Sequence, residues 1–255
     1  MRAAVLGLGE AGWRYAADLA AAGATVTGFD IRAVDPPAGV RMAASVSEAV
    51  TGANLVLSLT TAAGAVEAAK QARGQLSPDT VYADLNAASP ARKRAVASAL
   101  DSGLFADVAV LAPVNRAGLR TPVLVSGPGA AAFADLLASW QVPVEIVPGE
   151  PGAASGRKLL RSIFMKSLAA TILEALAAGR AAGCEDWVRA QIIGELDQPA
   201  PALVDRLVTG TRQHAARRLH EMEDTRSYVE ELGTPIDMTT ATIRWLASLT
   251  AGERH

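Results

Sequence analysis

The sequence predicts an α/β domain over residues 1–150, built on a doubly wound and mostly parallel sheet, and an all-α domain over residues 151–255. Three observations carry this prediction. The first thirty residues read as strand, glycine turn, helix, strand and acid. Apolar β-type runs then alternate with helical patterns as far as Val147, which is the pattern of a parallel sheet covered on both faces. Beyond Gly149-Glu150-Pro151-Gly152 the strand pattern stops and only helical periodicity continues.

The opening stretch justifies its elements one by one. Arg2 to Leu6 is a short apolar run of strand type, followed at once by Gly7-Leu8-Gly9-Glu10-Ala11-Gly12. Trp13 to Ala22 is an Ala-rich helix stopped by Gly23, and Ala24 to Phe29 is a second apolar strand ending in Asp30. This order is the G-x-G-x-x-G dinucleotide fingerprint of a Rossmann-type domain in its required setting. Gly7 allows the tight turn, Gly9 lets backbone approach a pyrophosphate, and Gly12 lets helix pack on strand. The helix N-terminus offers N–H groups and a partial positive charge to phosphate, so Leu8, Glu10 and Ala11 join the three glycines as expected cofactor contacts. Asp30 can accept from a ribose 2′-hydroxyl and would repel a 2′-phosphate, which favours NAD; Arg32 can attract that phosphate, so NADP stays open.

The remaining elements follow in order. A Pro-containing loop leads to a short strand at Val40 to Ala43. Ser45 and Glu48 have capping-box spacing before a short helix. Ala53 to Leu59 is a strand ending at Thr60-Thr61, and a helix covers Ala63 to Gln71. Thr80 to Leu85 is a strand that leads into Asn86. Ser89-Pro90 is an N-cap followed by Pro at the first helical position. Phe105 to Val110, Pro122 to Val125 and Val142 to Val147 complete the strands, with a helix through Trp140 before the last. Past residue 150, helices are expected over Ala153–Ala182, Glu185–Leu196, Ala202–Thr209, Arg212–Leu232 and Met238–Leu249, with Gly233-Thr234-Pro235 as a stop signal.

Composition removes several classes of function. A net charge of −2 and a pI near 6.0 give no basic field for nucleic acid or an anionic membrane. The one cysteine, Cys184, excludes an internal disulfide and fits a reducing compartment. The glycines and Glu10 interrupt the N-terminal apolar run, so it is not a signal peptide. The best membrane-spanning candidate, Met165 to Cys184, is broken by Lys166, Glu174 and Arg180. The expectation is a cytoplasmic protein with a small-molecule substrate, no nucleic-acid or membrane partner and no metal.

Ligands of open α/β sheets bind outside the carboxyl ends of the strands. Thr60, Thr61 and Asn86 stand at such ends; all three are expected near the cofactor, with Thr60 and Asn86 as candidates for its nicotinamide side. Reduction of a carbonyl also needs a proton donor. Lys158, Arg161 and Ser162 share one face of the long helix, after a run of small residues. A lysine desolvated in a cleft can shuttle a proton near neutral pH.

With these residues in view, the chain resembles the β-hydroxyacid dehydrogenase superfamily, in its 3-hydroxyisobutyrate and 6-phosphogluconate dehydrogenase-like members. More narrowly, it looks like a short bacterial branch with a small helical C-terminal domain. The family's D-x-S-T segment is matched in position by Asp84-Leu85-Asn86-Ala87. Its D-A-P-V-S-G-G is matched by Asp107 to Pro113, and its G-x-x-x-K-x-x-x-N places the lysine on Lys158 and the asparagine on Ser162. The late K-D-L falls on His220-Glu221-Met222. The resemblance implies hydride transfer between NAD or NADP and a small hydroxy acid or its carbonyl counterpart. It implies Lys158 as general acid/base, aided by Ser162 and Asn86, and a homodimer built on the helical domain. The substrate loop departs from the pattern: Leu111-Ala112-Pro113 replaces S-G-G, and Pro113 has no N–H to donate. Ala112, Pro113, Asn115, Arg116, Arg161 and His220 are the substrate-side candidates, with Arg120 as a further loop residue. Imine reduction is the neighbouring alternative, and dinucleotide binding without catalysis is the alternative of another class.

Overall fold

The computed structural model describes residues 1–252. It divides into two compact units, Met1–Arg161 and Ser162–His255. The first holds β1 (Arg2–Leu6), α1 (Glu10–Ala21), β2 (Thr25–Phe29), β3 (Val40–Met42), α2 (Val46–Val50), β4 (Leu55–Ser58), α3 (Ala65–Gln71), β5 (Val81–Asp84), α4 (Pro90–Ala99), β6 (Leu104–Val110), α5 (Val114–Ala117), β7 (Val123–Ser126), α6 (Ala130–Ala138) and β8 (Val144–Ile146). It also contains the start of α7 (Ala153–Ala181). The eight strands form one sheet in the order β3-β2-β1-β4-β5-β6-β7-β8. Every pairing is parallel except β6 with β7.

Strand alternation builds a core on each side of this sheet. Ala3 and Val5 of β1, Leu55 and Leu57 of β4, and Val81 and Ala83 of β5 join Tyr15 and Leu19 of α1 and Phe133 and Leu137 of α6. Ala4, Leu6, Val56 and Tyr82 point the other way, onto Val46 and Val50 of α2, Ala65 and Ala69 of α3, and Val96 of α4. Strands buried on both faces must read as continuous apolar runs, and these do. Tyr82 and Phe105 are register partners on adjacent strands. Their rings stack at 6.5 Å, an arrangement worth about 0.5–1.5 kcal/mol beyond burial.

The expected caps form. Ser45 Oγ accepts from the Glu48 amide at 3.1 Å, and Glu48 returns a carboxylate oxygen to the Ala44 amide. Ser89 Oγ accepts from the Arg92 amide. Helix α1 begins at Glu10, three residues before the predicted Trp13, because Gly9 serves as its N-cap. The α5 turn lies in a stretch the sequence left without an element. It is anchored where Asp18 of α1 accepts from the Leu119 amide at 2.7 Å.

The division between the units falls inside α7, at Arg161–Ser162, rather than at residue 150. The physical reason is Asp107 of β6. Its Oδ2 accepts from the Gly152 and Ser155 amides at 3.0 Å each, and its Oδ1 accepts from Ser155 Oγ at 2.6 Å. A carboxylate on the sheet thus caps the long helix, and the helix's first turns belong with the sheet.

The second unit is helical among its described residues: the rest of α7, α8 (Glu185–Leu196), α9 (Ala200–Gln213), α10 (Ala215–Glu231) and α11 (Asp237–Gly252). Glu174 of α7 caps α11 by accepting from the Met238 and Thr239 amides and from Thr239 Oγ1, at 2.7–2.8 Å. Cys184 is exposed at the N-cap of α8. By length and composition α7 does qualify as long and apolar enough to cross a bilayer, against the sequence expectation; its best window has a mean hydropathy of 1.3 and is 11% buried. The buried apolar side chains of the described part of this unit are only Ala215, Val229 and Leu246. Helices α8 and α9 bury none of their residues.

Candidate dinucleotide site and its comparisons

Strand order reverses at β1, which pairs with β2 on one side and β4 on the other. The crevice at this switch point is where the first glycine turn meets the end of β4. Gly7 has φ +90°, and a Cβ there would lie 2.4 Å from the Leu59 carbonyl oxygen. A Cβ on Gly12 would lie 1.8 Å from the Gly7 carbonyl oxygen. Only glycine fits either position, because backbone fills the space a side chain would need. Gly9 has only the end of the Arg32 side chain near its would-be Cβ, at 4.0 Å. Its open side is the approach a diphosphate would use.

Helices α2 and α4 have serine caps, whereas α1 starts on Gly9 with no side-chain cap. The first-turn amides of Glu10, Ala11 and Gly12 therefore lack a capping side chain, the condition for anion binding. Leu8 plays a different part. Its side chain is buried, and its amide donates to Asp30 Oδ2 at 2.7 Å.

A cleft of about 460 Å³ opens on this turn, lined by Gly7, Gly9, Asp30, Arg32, Thr60 and Thr61 among others. Also lining it are Gly64, the N-cap of α3, and Glu67, Ala68 and Gln71 of α3. The volume falls within the roughly 300–1,000 Å³ typical of small-ligand sites. Sequence reasoning missed Glu67 and Gln71. Facing outward on a short helix, they have a pattern no different from ordinary solvated residues.

The acid at the end of β2 is held inward. Besides Leu8, the Arg32 amide donates to Asp30 Oδ1 at 2.9 Å, and Arg32 Nε donates to the same oxygen at 3.3 Å. Burial raises the Asp30 pKa, but the bonds from the Arg32 and Leu8 amides and the adjacent guanidinium outweigh it and hold the carboxyl below its usual range. The Asp30 side chain is 6% exposed and that of Arg32 68%, so the guanidinium is the more accessible member of the pair.

Thr61 turns out to perform cap chemistry: its Oγ1 accepts from the Gly64 amide at 3.0 Å, shaping the entry to α3. Thr60 Oγ1 donates to the Thr61 carbonyl at 3.3 Å. Both remain on the cleft wall.

Asn86 is buried and spends its amide N–H₂ inward, on Asp84 Oδ1 at 2.5 Å and on Ser58. An amide facing a carboxylate must present its nitrogen, which fixes the orientation of the Asn86 side chain. Lys158 is partly buried on α7, one turn after Ser155. Arg161 reaches the substrate loop, its Nη1 donating to the Leu111 carbonyl at 3.4 Å. Ala112 and Pro113 stand at that loop, with Pro113 as N-cap of α5. Asn115 and Arg116 are exposed on α5, and neither lines the cleft described above. Arg120 is also exposed. Ser162 and His220 belong to the second unit. His220 Nδ1 bonds to the Ala216 carbonyl one turn back, at 2.8 Å.

A further buried group was not anticipated from the sequence. Lys93 of α4 is 0% exposed. Its Nζ donates to the Asp84 carbonyl at 2.6 Å and ion-pairs with Asp84 Oδ2 at 3.2 Å and Asp107 Oδ1 at 3.4 Å. In sequence this lysine looks like one member of an Arg-Lys-Arg surface run; only the fold turns it inward.

Residues 2–132 match the family described as the NAD binding domain of 6-phosphogluconate dehydrogenase. The chain belongs to that family. Its helical part, residues 180–249, matches a domain family of unknown function (DUF1932). The 6-phosphogluconate dehydrogenase-type nucleotide domain accounts for the glycine turn, the switch-point cleft and the strand order on one chain. A conserved protein of unknown function, MTH1747, whose structure is described as similar to 3-hydroxyacid dehydrogenases, is 28% identical. That match covers 99% of this chain and 98% of the other, with a TM-score of 0.64. An uncharacterised 28.5 kDa protein from Methanothermus fervidus is 27% identical over 192 residues, 75% of this chain and 74% of its own length. An imine reductase from Myxococcus stipitatus, solved with NADP+, shares the fold at TM-score 0.78 and 18% identity, covering 99% of this chain and 95% of that one.

Proposed function

We propose that the protein is an NAD(P)-dependent oxidoreductase that moves a hydride between the nicotinamide and a small hydroxy acid or its carbonyl counterpart. The observation that carries this reading is the pairing, on one compact unit, of an uncapped glycine-turn helix at the switch point with a partly buried lysine at the head of α7. The bound dinucleotide would supply the hydride. The protein's own residues hold it and move a proton. The amides of Gly9 to Ala11 take the diphosphate, and Gly12 lets α1 reach it. Lys158 gives a proton to the substrate oxygen on reduction and takes it back on oxidation. The Asn86 oxygen orients the ammonium or a donor group of the substrate, and Arg161 serves the substrate from the same helix as Lys158. The superfamily likeness supports these roles, and the capped start of α7 supports a fixed lysine.

The cofactor choice rests on Asp30 and Arg32. With Asp30 holding the glycine turn, the Arg32 guanidinium is the group presented toward the ribose 2′ position. A planar cationic fork suits a phosphate, so NADP is accepted, and preferred over NAD. This reverses the preference read from Asp30 in the sequence.

A second reading has its own support. Ala112 and Pro113 supply no side-chain donor for a carboxylate, and Pro113 supplies no amide, which suits a substrate without that group. Imine reduction is this second reading. Both are tested by following nicotinamide oxidation and reduction over a panel of hydroxy acids, aldehydes and cyclic imines, with each cofactor in turn. Turnover of hydroxy acids or aldehydes supports the first reading, and turnover of imines alone supports the second. Tight dinucleotide binding with no turnover leaves a binding protein and sinks both.

The protein works as a homodimer through the helical unit. The support is the scarcity of buried apolar side chains there, beside exposed Leu173, Ile193, Val204 and Leu207. A helical unit with so small a core needs a second surface to cover it.

A further inference from the structure

Three acceptors surround the Lys93 ammonium: the Asp84 carbonyl, Asp84 Oδ2 and Asp107 Oδ1. Each carboxylate has another task. Asp84 Oδ1 accepts from the Asn86 amide and side chain. Asp107 accepts from Gly152, Ser155 and Ser126, which fixes the start of α7. Ser126 Oγ also accepts from the Ala154 amide, tying β7 into the same turn. The ammonium therefore sits within a continuous buried chain of contacts that runs from Asn86 to the helix turn preceding Lys158.

Two carboxylates side by side in a dry interior repel each other strongly. Removing one charged member of a buried group leaves the others uncompensated. An apolar pair on the strands would have held the core more cheaply, so stability alone does not explain three buried charges. What the group accomplishes is directional: it sets the end of β5 and the head of α7 at fixed positions relative to each other.

We propose that Lys93 is a positioning residue that holds Asn86 and the first turn of α7, one turn before Lys158, in one arrangement through Asp84 and Asp107. The proposal rests on the oxidoreductase reading for the purpose of this arrangement, and on the contacts above for its existence.

The test is the double variant Lys93→Met with Asp84→Asn. It removes one positive and one negative charge together, so the interior keeps its net charge, and Asp107 keeps its four donors. Lys93→Met alone leaves two facing carboxylates and is expected to fold poorly, which is why the pair is used. Amide hydrogen exchange of the peptide spanning residues 150–158 is expected to speed up at least tenfold in the double variant. The glycine-turn peptide at residues 2–12 should stay unchanged. NADPH affinity should stay within threefold and substrate KM within threefold, while kcat falls at least tenfold. Unchanged exchange at 150–158 overturns the proposal. So does faster exchange with unchanged kcat, which makes the group a plain structural anchor, and so does loss of NADPH binding, which makes its role global. A wild-type protein that turns over nothing on the panel sinks the oxidoreductase reading first, and is seen before any variant is compared.

Discussion

The Leu8 amide donates to the Asp30 carboxylate at 2.7 Å, so the acid at the end of β2 holds the glycine turn that begins after β1. The sequence suggested that this acid reads the ribose. In the structure it joins two neighbouring loops and fixes the turn through which a diphosphate would be bound. Asp30→Ala is therefore expected to weaken NAD and NADP together, by tenfold or more, with titration of cofactor fluorescence as the measurement. A loss confined to NAD would return Asp30 to the ribose-reading role. The pH behaviour has a definite sign. The folded carboxyl lies below the usual range, so its contribution to stability is complete above the unfolded-state pKa and disappears as pH falls through the lower folded value. The melting-temperature gap between wild type and Asp30→Asn should narrow on acidification through and below the usual carboxylate range.

Arg32 separates the two cofactors. Its guanidinium is exposed on the cleft, near the open side of Gly9. Arg32→Ala is expected to lower NADP affinity at least tenfold, about 1.4 kcal/mol, with NAD affinity changed by less than threefold. Equal losses for both would show Arg32 acting only through Asp30.

Lys158 carries the proposed proton transfer. Positioned acid–base groups contribute roughly 10²–10⁴-fold to rate. Lys158→Ala should reduce turnover by that factor and leave NADPH binding within threefold. Retained turnover would remove the lysine from the mechanism, and lost cofactor binding would assign it to the nucleotide instead.

The nucleotide half was legible because its signals are local. Gly7, Gly9 and Gly12 sit at spacings that backbone contact alone demands, and Ser45, Ser89 and the Gly149–Gly152 break are short-range chemistry. Lys93 was not legible. Its burial depends on Asp84 and Asp107 arriving from separate strands, and although Asp84 is only nine residues away, no local pattern marks that meeting. The same holds for Thr61, whose hydroxyl could equally have served cap or cofactor until Gly64 was seen to donate to it. The end of the first unit was misplaced for a related reason. The composition change at residue 150 is real, but Asp107 draws the first turns of α7 back onto the sheet.

Val204, Leu207 and Val208 stand at i, i+3 and i+4 on α9, and are 56%, 47% and 48% exposed. That spacing makes one continuous apolar stripe on a helix face. On α8, Ile193 and Leu196 form a shorter stripe of the same kind, 60% and 48% exposed. Full burial of such side chains is worth roughly 1.5–3 kcal/mol each; these are already about half buried, so roughly half of that remains to be gained at an interface, against the cost of association. Sedimentation velocity should give the mass of a dimer for the wild type. Val204→Asp with Leu207→Asp places two charges in the stripe and should shift the protein toward monomer, with a lower melting temperature for the helical unit. Both residues lie outside the nucleotide cleft, so NADPH binding to the first unit should persist. A wild-type monomer at micromolar concentration, or a double variant that still sediments as a dimer, would place the contact elsewhere and leave the α9 stripe unexplained.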